Sequence, residues 1–204
     1  MKLNVWKIVF LTGLILSLSS INKAVTVRSE SVDIVAQFQD IARLAKLNPV
    51  QVEKLVDLDN KKIENSQLRV ILPSYIPSEF RVDKVEVVNT DLEANYKIIY
   101  RNLNNFCFYL QNNISGKKAG QHYFLLETAK SRSGVETIYI NSSVIGNAYL
   151  DIYNYGNIST NPSISLVSLQ NIGFKFESPC SKNDQAITTS KAVKILESLQ
   201  YLNP

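Results

Sequence analysis

The sequence predicts an α+β protein: two N-terminal helices, an antiparallel meander sheet of about seven to eight strands, and a C-terminal helix packed on that sheet. Three observations support this prediction. Apolar residues recur at intervals of three and four near both ends, as in helices that bury one face. From residue 68 onward the period changes to two, and short polar segments separate the apolar runs. With 45% hydrophobic and 20% charged residues, the 204-residue chain has a globular composition.

Residues 1–24 have the composition of a secretory signal peptide. Lys2 and Lys7 form a basic start, the uncharged apolar run Ile8–Leu18 follows, and small residues come after it. The run is shorter than the ~20 residues that a bilayer-spanning helix needs, so we expect the leader to be removed; its retention as an anchor is the alternative. The sequence therefore predicts a secreted or periplasmic protein with no membrane span after leader removal.

Removal of the leader changes the charge of the protein. The first 24 residues contain three lysines and no acidic residue, so the formal net charge falls by three, from +4 to +1. A nearly neutral domain lacks the basic surface with which proteins bind a phosphate backbone. Nucleic acid is therefore not an expected partner.

Cys107 and Cys180 are the two cysteines of the chain, and an exported protein can join them in a disulfide. In the chain-entropy picture, a loop of this length gives at most about 4 kcal/mol of stabilisation. Two separate buried thiols are the alternative, since cysteine is among the most buried residue types. With two cysteines and one histidine, the sequence predicts no metal site of the usual kind and no cofactor.

The segment 25–67 is predicted to hold the two N-terminal helices and a linker. Apolar residues at helical spacing place the first helix at Ser31–Leu47. Asn48–Pro49 ends that helix and begins the next, Pro49–Leu58, because asparagine is a good N-cap and proline suits the first helical position. The polar segment Asp59–Gln67 is expected to be a linker or an exposed turn.

Residues 68–204 are predicted to form the sheet domain. It begins with a short apolar strand at Leu68–Leu72, and its later strands are separated by short turns that favour pairing of consecutive strands. Alternation is clear where Tyr96, Ile98 and Tyr100 share one face. The further candidate strands are Phe80–Asn89, Asn95–Asn102, Phe106–Asn112, Gln121–Thr128, Val135–Asn141, Ala148–Tyr153, Ile164–Gln170 and Phe174–Glu177.

The chain closes with a predicted helix at Thr188–Leu202. Its apolar residues recur at helical spacing, and Thr188, Thr189 or Ser190 can cap its start. The apolar stripe consists of Ala192, Ile195, Leu196, Leu199 and Leu202. We expect this helix to cover the apolar face of the sheet.

His122 is the single histidine and is the candidate base of a hydrolase. A catalytic Cys107–His122 pair would need an accessible, electropositive thiol, whereas Cys107 lies between two phenylalanines in a predicted strand. Nothing in the sequence pairs two strand carboxylates across a cleft, as a glycosidase would require. The sequence therefore favours a non-enzymatic role over catalysis.

Tyr149, Tyr153 and Tyr155 form the candidate contact surface. In the strand Ala148–Tyr153, Tyr149 and Tyr153 share a face with Asp151 between them, while the alternate apolar residues face the other way. Rows of exposed tyrosine contact sugars, peptides and other proteins because each ring combines an apolar area with a polar tip. Cross-strand packing of aromatic rings on a sheet is the alternative explanation.

The segment Leu72–Phe80 (LPSYIPSEF), followed by RVDKVEV, resembles the opening of a group of exported bacterial domains of unknown function. In that group a Pro-x-Tyr-[Leu/Ile]-Pro-x-Gly-Phe turn leads into the first strand of an antiparallel sheet, and the closing helix is similar to Lys194–Leu199 (KILESL). Glu79 stands where the group has glycine. Some members accompany anti-sigma or envelope-stress proteins, and their layout is loosely like lipoprotein-carrier folds. The resemblance implies a non-enzymatic role and supplies no catalytic residue.

Together these observations predict an exported, non-catalytic binding or sensing module of the cell envelope. Its expected partner is an envelope protein or a small apolar ligand. A carrier that holds an apolar ligand between sheet and helix is the first alternative. A pocket of ~300 Å³ or more, lined by leucine, isoleucine and phenylalanine, would favour that carrier. A hydrolase that uses His122 is the second alternative.

Overall fold

Among the residues that the structure describes, a seven-stranded antiparallel sheet and a C-terminal helix dominate the fold, which is α+β as the sequence predicts. Two short two-stranded pairings accompany the large sheet. The helices and strands are α1 Pro49–Val56, β1 Lys62–Ile63, β2 Ser66–Gln67, β3 Ile71–Pro73, β4 Arg81–Asn89, β5 Glu93–Arg101, β6 Cys107–Ser115, β7 Val135–Ser142, β8 Gly146–Tyr153, β9 Ser163–Ser168, β10 Lys175–Ser178, α2 Thr189–Glu197 and β11 Leu199–Tyr201.

The computed structural model describes four stretches of the chain: residues 40–115, 135–153, 163–168 and 173–203. The chain divides into two compact units at residue 40, and nearly all described residues belong to the second. Several predictions fall outside the described residues, namely the leader, most of the first helix, the strand Gln121–Thr128, and the candidate residues His122 and Tyr155.

The large sheet consists of two runs of consecutive strands that meet in its middle. We call β4–β5–β6 the first meander and β7–β8–β9–β10 the second meander. Every neighbouring pair is antiparallel, and the spatial order is β4-β5-β6-β10-β9-β8-β7. Because β10 lies beside β6, the chain leaves β6 in the middle of the sheet and returns as β7 at its edge. Elsewhere in the described sheet, consecutive strands are neighbours.

Asn48 separates the first predicted helix from α1, as predicted. Residues 41–44 are helical, and the chain leaves this helix at Lys46, whose φ of 59° is left-handed. The Asn48 side chain accepts the Gln51 N–H at 3.0 Å, and the Gln51 side chain accepts the Asn48 N–H at 2.9 Å. This reciprocal cap satisfies two backbone donors and fixes the start of α1. No helix among the described residues is both long and apolar enough to cross a bilayer.

The polar segment Asp59–Gln67, predicted as a linker or an exposed turn, forms a small hairpin. Its strands β1 and β2 pair antiparallel, and Ile63 is buried. Asn60 and Glu64 have positive φ values, 67° and 51°, and reverse the chain at two points. The prediction missed this hairpin because one apolar residue is too few to give a period of two.

The C-terminal helix is shorter than predicted. α2 ends at Glu197, and the following residues form β11, which pairs antiparallel with β3. The Leu202 N–H extends this pairing with a 2.8 Å hydrogen bond to Val70 O, so backbone groups on both segments find partners. The sequence placed the end of the helix at Leu202 because Leu199 and Leu202 continue its apolar stripe. In the structure both residues are buried but lie after the helix.

An aromatic cluster lies in the core, on the buried face of β5, β6 and β10. Phe108 stacks on Tyr100 with 4.9 Å between ring centroids, and its ring lies 5.3 Å from Phe80 and 5.7 Å from Phe176. All four side chains are buried. Offset and tilted ring contacts of this kind stabilise a core beyond the area they bury. α2 contributes Ala192, Ile195 and Leu196, which confirms the predicted helix face.

Two buried tyrosines connect this core by hydrogen bonds to β3 and to the segment that precedes α1. The Tyr96 hydroxyl accepts the Ile71 N–H at 2.8 Å and donates to the Ile71 carbonyl at 3.0 Å. The Tyr100 hydroxyl donates to Ala45 O at 3.1 Å. Burial raises the pKa of both phenols, so they stay protonated donors at any physiological pH. The predicted shared face of Tyr96, Ile98 and Tyr100 is confirmed, since all three are fully buried.

Candidate functional site

A disulfide joins Cys107, at the start of β6, to Cys180, just after β10, and confirms the predicted bond. Their Cα atoms are 5.5 Å apart, within the usual range for disulfides. No cysteine in the described part of the chain is free. Cys107 therefore offers no thiol in this oxidised form, and a Cys107–His122 pair would lack its nucleophile.

Hydrogen bonds hold the segment after β10 against the turn between β5 and β6. The Cys107 N–H donates to Gln185 O at 3.0 Å, and the Gln185 N–H donates to Asn105 O at 2.9 Å. The buried Ser178 hydroxyl donates to Cys107 O at 2.7 Å and accepts the Ile187 N–H at 2.9 Å. The disulfide and these bonds fix the turn and the segment relative to each other.

A buried carboxylate adds an ion pair beside the disulfide. Asp184 accepts hydrogen bonds from the Arg101 guanidinium and, at 2.8 Å, from the Ser181 hydroxyl. Burial opposes ionisation of Asp184, but these hydrogen bonds outweigh it and hold the pKa of the carboxyl below its usual value. This carboxylate and both cysteine sulfurs lie within 4.8 Å of one another, close enough to share a metal ion. Because the sulfurs are bonded to each other, they are not thiolate ligands in this form.

An open pocket of about 450 Å³ lies between the turn before β4, the β5–β6 turn and the start of α2. Its apolar lining is Phe80, Leu103, Phe106 and Ile187, and its polar lining is Glu79, Asn102, Asn104, Thr188 and Lys191. Phe80 and Ile187 are buried, whereas Leu103 is 87% exposed. The pocket therefore has a floor that belongs to the core and one apolar wall that projects into solvent.

Glu79 and Lys191 form an ion pair at the rim of the pocket, with 2.5 Å between Oε1 and Nζ. The two side chains are 41% and 39% exposed. The hydrogen bond from Lys191 is the main reason why the pKa of Glu79 lies below its usual value. Ion pairs this exposed contribute about 0–1 kcal/mol to stability, so a ligand can separate the two charges at low cost.

Lys46 fixes the turn that carries Glu79 and Phe80 into the pocket. Its ammonium group donates to the carbonyls of Pro77, Ser78 and Phe80 at 2.7, 3.1 and 2.7 Å. Desolvation by burial lowers the pKa of Lys46, and the nearby charge of Glu79 opposes this shift. The sequence carries no signal for this contact because all three acceptors belong to the backbone.

The two segments that carry the family resemblance contact each other directly. The Ser74 N–H and hydroxyl both donate to Ser198 O, at 3.0 and 2.8 Å, and the Tyr75 N–H donates to the Ser198 hydroxyl at 3.1 Å. Glu79, which stands where the resembled group of domains has glycine, contacts Lys191 on α2. The backbone at Glu79 does not have a positive φ, so this turn does not need glycine there.

The predicted tyrosine surface contains a ring pair that the sequence prediction did not include. Tyr149 lies opposite Tyr139 of β7, with 5.8 Å between ring centroids in an edge-to-face contact. Tyr139 is 53% exposed, whereas Tyr149 and Tyr153 are half-buried. Between them, the buried Asp151 accepts hydrogen bonds from Thr137 at 2.8 Å and Tyr153 at 3.4 Å. Tyr149 and Tyr153 thus share one face as predicted, and Tyr149 also packs across the strands.

The pocket residues were not among the predicted site residues. The walls of the pocket come from three segments that are far apart in sequence, and only the folded chain brings those segments together. One signal was available: Leu103 is an apolar residue within the asparagine-rich turn 102–105, where polar residues are expected. A single exposed apolar residue is common on protein surfaces, so this signal alone does not identify a site.

The comparison with known proteins gives no family. No protein-family model, curated protein or solved structure matches this chain significantly. The functional proposal therefore depends on the geometry and chemistry of the described residues.

Proposed function

We propose that this protein is an exported, non-catalytic binding module of the cell envelope, and that its binding site is the pocket between Phe80, Leu103 and Ile187. The observation that carries the proposal is the pocket itself. Its volume of about 450 Å³ lies within the range of small-molecule sites, and its apolar floor is edged by a few polar groups, as such sites require.

The walls of the pocket are held in place before any ligand arrives, which supports a binding role. Lys46 fixes the turn at Phe80, and the disulfide with its surrounding hydrogen bonds fixes the turn at Phe106 and the segment at Ile187. A site formed in advance loses little conformational freedom on binding, so more of the contact energy appears as affinity.

The disulfide also supports the export part of the proposal. Structural disulfides persist in oxidising compartments and are rare in the cytosol. Cys107 and Cys180 are joined, and residues 1–24 have the composition of a secretory leader. A secreted or periplasmic location accounts for both features.

Carriage of a wholly apolar ligand has less support than binding of an amphipathic one. The pocket is larger than the minimum of ~300 Å³ that we set for a carrier. However, five of its nine lining residues are polar, and it opens to solvent beside an ion pair. A ligand with an apolar body and a polar end fits this lining better. The surface of Tyr149, Tyr153 and Tyr155 remains a predicted contact for an envelope protein.

The binding site can be tested with a neutral probe, phenethyl alcohol, titrated into the ¹⁵N-labelled oxidised protein. We expect amide shifts concentrated at Leu103, Phe106 and Ile187. Thr188→Trp should abolish them because the indole fills the pocket. The Thr188 side chain makes no capping hydrogen bond, and its 3.3 Å bond to the Ser190 hydroxyl is lost equally in the control variant Ser190→Trp. Ser190→Trp, on the same turn of α2 but outside the pocket, is the matched control and should keep the shifts.

Two results would contradict the proposed function. One is the absence of saturable shifts at the pocket; the other is equal binding by the Thr188→Trp and Ser190→Trp variants.

A further inference from the structure

We propose that the pocket binds an α-amino acid with an apolar side chain, with Glu79 receiving its ammonium group and Lys191 its carboxylate. The inference depends on the proposed function, since it names the class of ligand for the same pocket. It follows from the charges at the rim, the apolar floor and the fixed position of the turn that carries Glu79.

The charged residues that line the pocket are one acid and one base, placed side by side. Glu79 and Lys191 approach to 2.5 Å, and each keeps roughly two fifths of its side chain in contact with solvent. A ligand with a single charge would bind one of them and leave the other without its partner. A zwitterion contacts both side chains at once and gains a charge-assisted hydrogen bond at each, whereas a singly charged ligand gains one and leaves the other group to water.

The spacing of the pair favours an α-amino acid over a longer zwitterion. The ammonium and carboxylate groups of an α-amino acid are attached to the same carbon atom, so both can reach two side chains that already touch. In an ω-amino acid the two groups lie at opposite ends of the chain, and Glu79 and Lys191 would have to separate much further.

The floor of the pocket accepts the side chain of such a ligand. Phe80 and Ile187 are buried, Phe106 is half-buried, and Leu103 stands exposed at the opening. A volume of about 450 Å³ accommodates a side chain the size of leucine or phenylalanine together with the charged groups at the rim. The charges at the rim and the apolar floor therefore match the two ends of the ligand.

The other charged groups near the pocket are already engaged. The Lys46 ammonium binds three backbone carbonyls of the turn that precedes β4. Arg101 and Asp184 pair with each other beside the disulfide. Recognition of a charged ligand at the rim therefore depends on Glu79 and Lys191.

Four probes that share a phenyl ring and differ in charge test the inference: phenylalanine, phenethylamine, hydrocinnamate and phenethyl alcohol. They are the zwitterion, the cation, the anion and the neutral compound. In NMR titrations of the oxidised protein, we expect phenylalanine to bind about two- to fivefold tighter than phenethylamine or hydrocinnamate, and tighter still than phenethyl alcohol, because it alone contacts both charged side chains.

Single substitutions at the rim should remove this preference in two different ways. Glu79→Gln should make phenylalanine and hydrocinnamate bind equally, since the ammonium group loses its partner. Lys191→Gln should make phenylalanine and phenethylamine bind equally. Lys194→Gln and Glu197→Gln are matched controls on exposed positions of the same helix, outside the pocket, and should leave the preference unchanged.

The results separate this inference from the proposed function. If all four probes bind the pocket equally, the amino-acid inference is wrong and the proposed function stands. If phenylalanine binds tightest but the rim substitutions change nothing, Glu79 and Lys191 are not its ligands and the inference is wrong again. If no probe binds the pocket, both fail.

Discussion

The first meander together with β10, and the β7–β9 part of the second meander, bury different kinds of side chain and present different outer faces. The first meander carries the aromatic residues Tyr96, Tyr100 and Phe108 in its core. β7, β8 and β9 of the second meander bury the smaller side chains Ile140, Ala148, Leu150, Ile152, Ile164 and Leu166. On the outer face, charged pairs such as Lys84 with Glu86, at 2.6 Å, cover the first meander, whereas tyrosines cover β7 and β8.

This difference shows why the pocket lies where it does. The first meander is anchored on both sides: Tyr96 and Tyr100 bind the N-terminal segments, and the disulfide holds the start of β6. A binding pocket needs walls that keep their positions, and the anchored end of the first meander supplies them. β7 packs against α2, and the Tyr201 hydroxyl donates to Val144 O in the β7–β8 turn at 3.4 Å, but the disulfide and the two buried tyrosine hydrogen bonds lie in the first meander.

Truncation of the aromatic core tests the comparison most strongly. Phe108→Ala should lower the free energy of unfolding by about 3–5 kcal/mol, because Phe108 is fully buried and contacts three other rings. Leu150→Ala in the second meander is the matched variant, and we expect a smaller loss. Urea denaturation followed by circular dichroism measures both. An equal or larger loss for Leu150→Ala would show that the two cores contribute alike.

Reduction of the disulfide should have the next largest effect. We expect reduced protein, or the double variant Cys107→Ala with Cys180→Ala, to lose about 2–4 kcal/mol of stability. Hydrogen exchange at the Gln185 amide, which binds Asn105 O across the pocket wall, should accelerate more than exchange at the Leu150 amide in β8. Equal acceleration at both amides would mean that the bond stabilises the whole sheet and not the pocket end.

The smallest expected effect on the free energy of unfolding comes from the tyrosine pair on the outer face of β7 and β8. A double-mutant cycle of Tyr139→Ser and Tyr149→Ser should give a coupling of about 0.5–1.5 kcal/mol, as expected for an edge-to-face ring pair. The cycle Lys84→Gln with Glu86→Gln, on the first meander, is the control for an exposed charged pair. Coupling near zero at Tyr139 and Tyr149 would remove the packing explanation and favour the predicted contact surface.

The sequence predicted most elements of the sheet because their signals are local. Tyr96, Ile98 and Tyr100 alternate with polar residues, and this period of two is enough to identify β5. The helix start at Asn48 is equally local, since the cap and its partner Gln51 are three residues apart. The disulfide was predicted from the cysteine count together with the leader-like composition of residues 1–24.

What the sequence could not predict depends on contacts between distant segments. The position of β10 beside β6 follows from burial of Phe176 against Phe108, and no local pattern specifies that contact. The change from helix to β11 at Leu199 is set by backbone groups of β3. The pocket was missed for the same reason, because Lys46 acts on carbonyls 31 to 34 residues away and the walls meet only after folding.

The bond between Cys107 and Cys180 closes a covalent ring that contains the whole second meander. A protease that cuts the backbone once inside this ring releases no fragment, since both pieces stay attached through sulfur. The pocket walls on either side of the bond would then remain on one molecule. Such resistance to nicking would benefit a protein that works among hydrolytic enzymes.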